Sequence, residues 1–155
     1  MMLGVGVDVC EIARLERALG GRASPRFRTR TFTDAEVAYC EGRRRTSAQS
    51  YAATFAAKEA VLKALGTGWA EGLGWHDVEV VRDRRGAPGV VLHGAALALA
   101  RRRGTRRVHL TLSHGGGLAV AVVVVEGAIT TTRRPAAGAG AATRARPPRS
   151  RRRSR

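Results

Sequence analysis

The sequence predicts an α+β fold in which a mostly antiparallel sheet packs against one long helix and several shorter ones. Residues Leu3–Cys10 alternate apolar with small or polar side chains, as a strand does. Residues Tyr51–Leu65 place apolar side chains at helical spacing, and glycines follow them. From Val78 onward, short apolar segments alternate with turn residues.

The first predicted strand has one apolar face and one nearly bare face. The apolar face carries Leu3, Val5, Val7 and Val9, and the other carries Gly4, Gly6, Asp8 and Cys10. The glycines allow another backbone or a ligand to approach closely. Asp8 is therefore either a carboxylate that faces a ligand, or an ordinary strand end or helix cap.

Two short helices are predicted after this strand. Glu11–Leu19 places its apolar residues inward and its arginines outward. A turn containing Pro25 is expected next. The second helix begins at Thr33, because Thr33 and Glu36 have the spacing of a capping box.

The long helix combines chemistry and packing in one segment. Glu59 and Lys63 are four residues apart and therefore project from the same side. Gly66 stands where a C-cap glycine belongs, and Gly66, Thr67 and Gly68 are expected to form a loop whose N–H groups are open to a phosphate of a ligand. Taken alone, the pattern fits equally an exposed Glu–Lys pair on an amphipathic helix.

The second half is predicted to supply most of the sheet. Short strands are expected at Val78–Val81 and Val90–Leu92, and a helix at Gly94–Arg103. Arg107–Ser113 alternates as a strand, turns at His114 and three glycines, and returns as Leu118–Glu126. This last strand is apolar on both faces, which predicts that it is central in the sheet or buried in a subunit interface.

The net charge is unevenly distributed. Residues 133–155 hold nine arginines and no acidic residue, so the net charge of +16 falls to +7 for residues 1–132. The tail lacks apolar periodicity, so we predict one folded domain at 1–128 and a disordered Arg-rich tail at 129–155. The tail either binds nucleic acid or a membrane surface nonspecifically, or is an unselected extension.

Composition also predicts the compartment. Cys10 and Cys40 are too few for a disulfide framework or a zinc site, which favours reduced thiols. No apolar segment near the N-terminus is long enough for a signal peptide, and the longest apolar run, Leu118–Val125, is too short to span a bilayer. We expect a cytoplasmic protein with no membrane span.

Three polar points emerge from the predicted elements. They are Asp8 on the first strand, Glu59 with Lys63 on the long helix, and Ser113 with His114 beside the glycine turn. Two carboxylates from separate elements suit Mg²⁺, which completes its octahedron with waters and phosphate oxygens. A glycine turn offers N–H groups to an anion. Neither signal is specific alone, and a single histidine beside glycines is commonly just a turn residue.

The order of these features resembles the holo-acyl-carrier-protein synthase family of 4′-phosphopantetheinyl transferases. The matching segments are GVGVDVCEIARL, FTDAEVAYC, FAAKEAVLKALGTGW, WHDVEVVRDRRGAP and LTLSHGGGLAVAVVVVE. They cover nearly all of residues 3–126, and the tail lies outside the resemblance. The resemblance implies transfer of the phosphopantetheine arm of coenzyme A to a serine of an acyl carrier protein, with adenosine 3′,5′-bisphosphate as by-product.

The resemblance also implies roles for the polar points. Asp8 and Glu59 match the Mg²⁺ ligands, and Glu59 also suits orientation or deprotonation of the carrier serine. Lys63 matches a residue that contacts the transferring phosphate and protonates the leaving group. Ser113 and His114 match the turn that binds coenzyme A, with His114 donating to a phosphate.

The remaining implied contacts concern the substrates and the assembly. Arg45 and its neighbours suit the 3′-phosphate of coenzyme A. Arg14 and Arg26 lie in the region with which the family binds its acidic carrier protein, in fatty-acid or polyketide synthesis. The family generally forms a homotrimer with each active site between adjacent subunits.

Two departures from the family pattern leave alternatives open. Thr54 stands where an arginine is common, and Gly115 stands where related chains often carry aspartate. A catalytically impaired homologue that binds coenzyme A or carrier protein is therefore a second hypothesis. A basic nucleic-acid-binding module is a third, but it does not explain why the acid–base positions match the transferase pattern.

Overall fold

The computed structural model describes residues 1–21, 24–67 and 72–128, and it has the predicted α+β architecture. The tail predicted at 129–155 lies outside the described residues, so the domain boundary at 128 stays a prediction. The helices are α1 (Ile12–Gly20), α2 (Ser24–Thr31), α3 (Asp34–Gly42), α4 (Ser47–Leu65) and α5 (Gly94–Arg102). The strands are β1 (Met2–Glu11), β2 (Val78–Arg82), β3 (Pro88–Leu92), β4 (Thr105–Gly115) and β5 (Leu118–Gly127).

The main sheet is antiparallel and has the strand order β1-β5-β4. The sequence left two alternatives for the last strand, a central place in the sheet or burial in a subunit interface, and the central place is confirmed. Its register places Val122 between Val7 of β1 and Thr111 of β4. Strands β2 and β3 form a separate antiparallel hairpin.

Helix α4 packs directly on the bare face of β1. A Cβ built at Gly4 would overlap the carbonyl oxygen of Ala64, and one built at Gly6 would overlap that of Ala60. The close approach predicted from the glycines is confirmed, and its partner is the helix backbone. Asp8 lies farther along the same face of β1, so its carboxylate is carried to the side of α4.

The apolar face of β1 points away from this core. Val5, Val7 and Val9 are 52–54% exposed. They lie in register with half-buried Val120, Val122 and Val124 of β5 and with exposed His109, Thr111 and Ser113 of β4. We call these nine residues the outer sheet face.

The short helices agree with the sequence except in one place. Thr33 accepts a hydrogen bond from the backbone N–H of Glu36, whose side chain accepts from the N–H of Thr33, so the predicted capping box is confirmed. The turn predicted around Pro25 is wrong, because Ser24–Thr31 is a helix. Proline is tolerated in the first turn of a helix, where its missing N–H has no helical partner.

Helix α4 begins at Ser47, four residues before its predicted start. Its end is as predicted, since Gly66 caps it at φ 71° in the left-handed region. No helix in the described ranges is both long and apolar enough to cross a bilayer.

Candidate active site

Asp8, Glu59 and Lys63 line one cavity of about 420 Å³, which we call the Asp8 cavity. Strand β1 supplies the aspartate and α4 supplies the other two, from successive turns. The other lining residues come from β1, α1, α2 and α4, and they are Val9, Cys10, Glu11, Arg14, Leu15, Ala18, Phe27 and Phe55. The predicted grouping of these three residues is therefore present in the fold.

Lys63 and Asp8 form an ion pair across the β1–α4 contact. The Lys63 Nζ lies 2.8 Å from Asp8 Oδ1, and it also donates to the Val7 carbonyl at 3.1 Å. The Asp8 side chain is 16% exposed and that of Lys63 is 50% exposed. The carboxylate is therefore largely covered, while the lysine side chain remains accessible from solvent.

The second lysine of α4 is structural. Lys58 is fully buried, and its Nζ lies 2.8 Å from Glu36 Oε2, 2.8 Å from the Trp75 carbonyl and 2.6 Å from the Val78 carbonyl. Desolvation lowers the pKa of Lys58, and the Glu36 carboxylate opposes this. Lys58 therefore ties α4 to α3 and β2, a role that its place in the sequence did not reveal.

An aromatic row joins this anchor to the Asp8 cavity. The ring centroids of Trp75 and Phe55 are 5.0 Å apart, and those of Phe55 and Phe27 are 6.4 Å apart. Phe55 and Phe27 form the apolar wall of the cavity. Phe27 was not predicted to contribute, because its segment was expected to form a turn rather than the helix Ser24–Thr31.

His114 lies in a different cleft, of about 440 Å³, which we call the His114 cleft. Arg43 and Arg82 line it with His114, together with the N-terminal part of α4. The guanidinium of Arg82 stacks on the Tyr39 ring, 4.9 Å from its centroid. The cleft therefore presents a positive, partly aromatic surface to an anion.

The sequence placed Ser113 and His114 at a turn, but both residues lie within strand β4. Strand β4 continues to Gly115, and the connection to β5 is the pair Gly116-Gly117, at φ 57° and 80°. Two positive φ values suit a tight type I′ hairpin, which glycine pairs favour. Because neighbouring strand residues point to opposite faces, His114 faces the cleft while Ser113 lies on the outer sheet face.

Arg45 lies outside the His114 cleft. It lines a third cleft with Arg28, Glu16 and Glu41 on the other side of the α3–α4 connection. Arg44, at φ 45°, lines this third cleft with Arg45, whereas Arg43 lines the His114 cleft. The cations that share a cleft with His114 are Arg43 and Arg82, and the sequence analysis assigned no role to Arg82.

The N–H groups of Gly66 and Thr67 are not open as expected. Gly66 donates to the Lys63 carbonyl at 3.0 Å, and Thr67 donates to the Leu62 carbonyl at 3.4 Å. These bonds satisfy the last carbonyls of α4, as a left-handed C-cap does. Gly68 lies outside the described residues, so binding of a ligand by this loop stays a prediction.

The two predicted carrier-binding arginines are both exposed. Arg14 of α1 also lines the Asp8 cavity, and Arg26 lies on α2. They are therefore placed on the two helices that border the cavity, where a large partner can reach them.

Position 54 is buried between α3 and α4. Thr54 is 2% exposed, and its Oγ1 lies 3.9 Å from Cys40 Sγ. Burial raises the pKa of the Cys40 thiol to about 11. An arginine at this position would have to displace core packing, so Thr54 belongs to the core of this protein.

Comparison with known proteins identifies the class of enzyme. The family described as the 4′-phosphopantetheinyl transferase superfamily matches residues 4–123. The holo-[acyl-carrier-protein] synthase of Anaeromyxobacter dehalogenans (strain 2CP-1) is 54% identical over 129 residues, which cover 82% of this chain and 98% of that relative. The chain therefore belongs to this superfamily and, within it, to the holo-[acyl-carrier-protein] synthase family.

Solved structures agree with this assignment. The Helicobacter pylori holo-[acyl-carrier-protein] synthase in complex with coenzyme A has a TM-score of 0.69 and 30% identity, over 79% of this chain and 99% of that one. The Bacillus anthracis holo-(acyl-carrier-protein) synthase in complex with CoA (3′,5′-ADP) has a TM-score of 0.67 and 33% identity, over 83% and 99%. The predicted family and fold are confirmed.

Proposed function

We propose that this protein transfers the 4′-phosphopantetheine group of coenzyme A to a serine of an apo acyl carrier protein. The other product is adenosine 3′,5′-bisphosphate. The convergence of Asp8, Glu59 and Lys63 in one cavity carries the proposal, because these residues come from distant segments and meet only through the fold. The names of the relatives and the coenzyme complexes of similar structures support it.

Two of the three carboxylates that line the Asp8 cavity, Asp8 and Glu59, fit Mg²⁺. This ion is usually held by one or two carboxylates together with waters and substrate phosphates, so Asp8 and Glu59 suffice as protein ligands. Within the described ranges, no cluster of three or more His, Cys, Asp or Glu side chains offers a separate all-protein site. When bound, Mg²⁺ would neutralise negative charge on the pyrophosphate of coenzyme A.

The protein residues would then control the position of the reactants and their protons. The serine oxygen of the carrier attacks the phosphorus of the phosphopantetheine group, and the bond to the bridging pyrophosphate oxygen breaks. Glu59 orients this serine and accepts its proton, directly or through a water. Lys63 contacts the transferring phosphate and gives a proton to the leaving oxygen, which departs with the bond's electron pair as adenosine 3′,5′-bisphosphate.

The nucleotide end of coenzyme A would bind in the His114 cleft. Arg43, Arg82 and His114 supply donors for its 3′-phosphate, and Arg82 is already oriented by its stacking on Tyr39. Arg43 is one of the neighbours of Arg45 that the sequence offered for this contact, and Arg82 is added to them, whereas Arg45 itself lines another cleft. Arg43 and Arg82 also offset the family arginine that is missing at Thr54, which supports an active enzyme over an impaired homologue.

The carrier protein would dock beside the Asp8 cavity. Arg14 and Arg26 present positive charge to an acidic partner, and Phe27 with Phe55 provides an apolar wall. We place the reaction in the cytoplasm, in fatty-acid or polyketide synthesis. A transferase explains the positions of these arginines better than a nucleic-acid-binding module, since they border the cavity that holds the acid–base groups.

The protein would act as a homotrimer with active sites between subunits. The Asp8 cavity and the His114 cleft share no lining residue, so one chain presents the two parts of the site separately. The outer sheet face exposes three valines on β1, which favours burial against another copy. A neighbouring subunit would then bring its own His114 cleft to an Asp8 cavity.

Mass spectrometry of the carrier protein tests the reaction. The full chain is incubated with Mg²⁺, coenzyme A and apo carriers from fatty-acid and polyketide synthesis, and we expect a carrier to gain the phosphopantetheine mass. Glu59→Gln should slow transfer by roughly 10²- to 10⁴-fold. Glu16→Gln, an exposed carboxylate on α1 outside the Asp8 cavity, is the matched control. No transfer to any carrier, with no binding of coenzyme A, would contradict the proposal.

A further inference from the structure

We propose that Lys63 acts as a substitute cation on Asp8 in the free enzyme, and that loading the site requires this ion pair to separate. The inference rests on the proposed function, which gives Asp8 to Mg²⁺ and Lys63 to the phosphate. It adds a coupling between those two roles. The same side chain that would hold the transferring phosphate occupies the metal carboxylate beforehand.

The geometry of the pair carries this inference. Lys63 Nζ is 2.8 Å from Asp8 Oδ1 and 3.1 Å from the Val7 carbonyl, so two of its three N–H donors are directed at β1. Asp8 is only 16% exposed, which leaves water little access to its carboxylate. The half-exposed Lys63 side chain, in contrast, is free to turn toward a ligand in the cavity.

Electrostatics makes the two occupants of Asp8 compete. A divalent cation bound to this carboxylate would lie within a few ångströms of the Lys63 ammonium, and like charges at that distance repel strongly where water is partly excluded. A phosphate group in the cavity attracts Lys63 away from Asp8 and so opens the carboxylate to the metal. Binding of the metal releases Lys63 toward the phosphate. By linkage, the metal and coenzyme A must strengthen each other's binding by the same factor.

This coupling has a consequence for the order of binding. The free enzyme should bind a divalent cation weakly, because the ion has to displace an ammonium that the fold already places on its ligand. The metal should enter mainly together with the pyrophosphate of coenzyme A. Lys63 thereby neutralises the Asp8 carboxylate in the free enzyme.

Equilibrium binding of Mn²⁺, followed by its electron paramagnetic resonance signal, tests the inference without an activity assay. The metal-free full chain is titrated in the absence of coenzyme A. Lys63→Met should bind Mn²⁺ roughly three- to tenfold more tightly than the wild type. Arg14→Met is the matched control, because it removes a positive charge from the same cavity and leaves the Lys63–Asp8 pair intact, and it should stay within about twofold of the wild type.

A second titration with saturating coenzyme A completes the test. The factor by which coenzyme A tightens Mn²⁺ binding should be smaller in Lys63→Met than in the wild type. Without coenzyme A, Mn²⁺ binding by Lys63→Met that is no tighter than that of the wild type would overturn the inference and leave the proposed function standing. So would Mn²⁺ binding by Arg14→Met that is as tight as that of Lys63→Met. Absence of Mn²⁺ binding by the wild type even with saturating coenzyme A would overturn both.

Discussion

Replacing Gly6 with alanine should separate β1 from α4 and thereby disturb the Asp8 cavity. The new methyl group would overlap the Ala60 carbonyl oxygen and would lie 2.7 Å from the Ala64 amide nitrogen. Ordinary contact begins at 3.4 Å, so relieving the contact with the amide nitrogen alone requires about 0.7 Å, and the deeper overlap with the Ala60 oxygen requires a larger separation of helix and strand. Both neighbours are backbone atoms of one helix, so no side-chain rotation relieves the clash.

The expected magnitude follows from this overlap. Overpacking a close-packed core commonly costs 1–3 kcal/mol, and because the clash is with the backbone we expect roughly 3 kcal/mol, or about 10 °C in Tm. Urea unfolding followed by circular dichroism measures it. Transfer activity at a temperature where the variant remains folded should fall at least about tenfold, because Asp8 and Glu59 lie on the two elements that separate.

Gly42→Ala provides the matched control for this substitution. Gly42 ends α3, and a Cβ built there meets nothing within 4 Å. Alanine should therefore leave stability unchanged or raise it by up to about 1 kcal/mol, through its better helix propensity. If Gly6→Ala unfolds at the same urea concentration as the wild type, the tight helix–strand contact inferred here is wrong.

Three further predictions concern the core, the titration of a buried thiol and the assembly. Lys58→Met should destabilise the protein by about 3–5 kcal/mol in urea unfolding, because it leaves the Glu36 carboxylate buried without its ion-pair partner, and Lys58→Met with Glu36→Gln should recover part of the loss. The unfolding free energy should fall by roughly 2–3 kcal/mol between pH 9 and about 11, because the folded state keeps the Cys40 proton that the unfolded state loses, and Cys40→Ala should reduce that fall. If the unfolding free energy of Cys40→Ala falls as steeply with pH as that of the wild type, groups other than Cys40 cause the loss of stability. If the proposed homotrimer forms through the outer sheet face, Val7→Lys should convert it to monomers in sedimentation velocity, whereas Val91→Lys, at an exposed valine of β3, should not.

Local features of the chain were predictable wherever neighbouring residues decide the structure. The capping box at Thr33 and Glu36 and the glycine cap at Gly66 depend on hydrogen bonds within a few residues. The two apolar faces of Leu118–Glu126 predicted either a central strand or one buried in a subunit interface, and the strand order β1-β5-β4 makes it central. The helix at Ser24–Thr31 was not predicted, because it is short and polar. It depends on the packing of the Phe27 ring against Phe55 and against Phe32, whose ring centroid is 6.3 Å away.

Sequence periodicity also left open which face of β1 is the core face. Four apolar residues on one side of a strand usually indicate burial, yet Val5, Val7 and Val9 are exposed, and the glycine face contacts α4. The reason is that α4 approaches so closely that only glycine fits beneath it. A contact between distant backbones decides this, and hydropathy does not record it.

Motif spacing and local periodicity are properties of the chain alone, and they were enough to predict the family, the α+β class and the candidate residues Asp8, Glu59 and Lys63. Three-dimensional packing was needed to show that Lys58 is a buried ion-pair partner of Glu36 whereas Lys63 contacts Asp8. The two lysines project from different sides of α4 and therefore meet different neighbours. The packing also decided that Arg43 and Arg82, rather than Arg45, share a cleft with His114. These contacts depend on how α3, α4 and the β2–β3 hairpin pack together. They form only when folding brings residues that are distant in sequence next to one another.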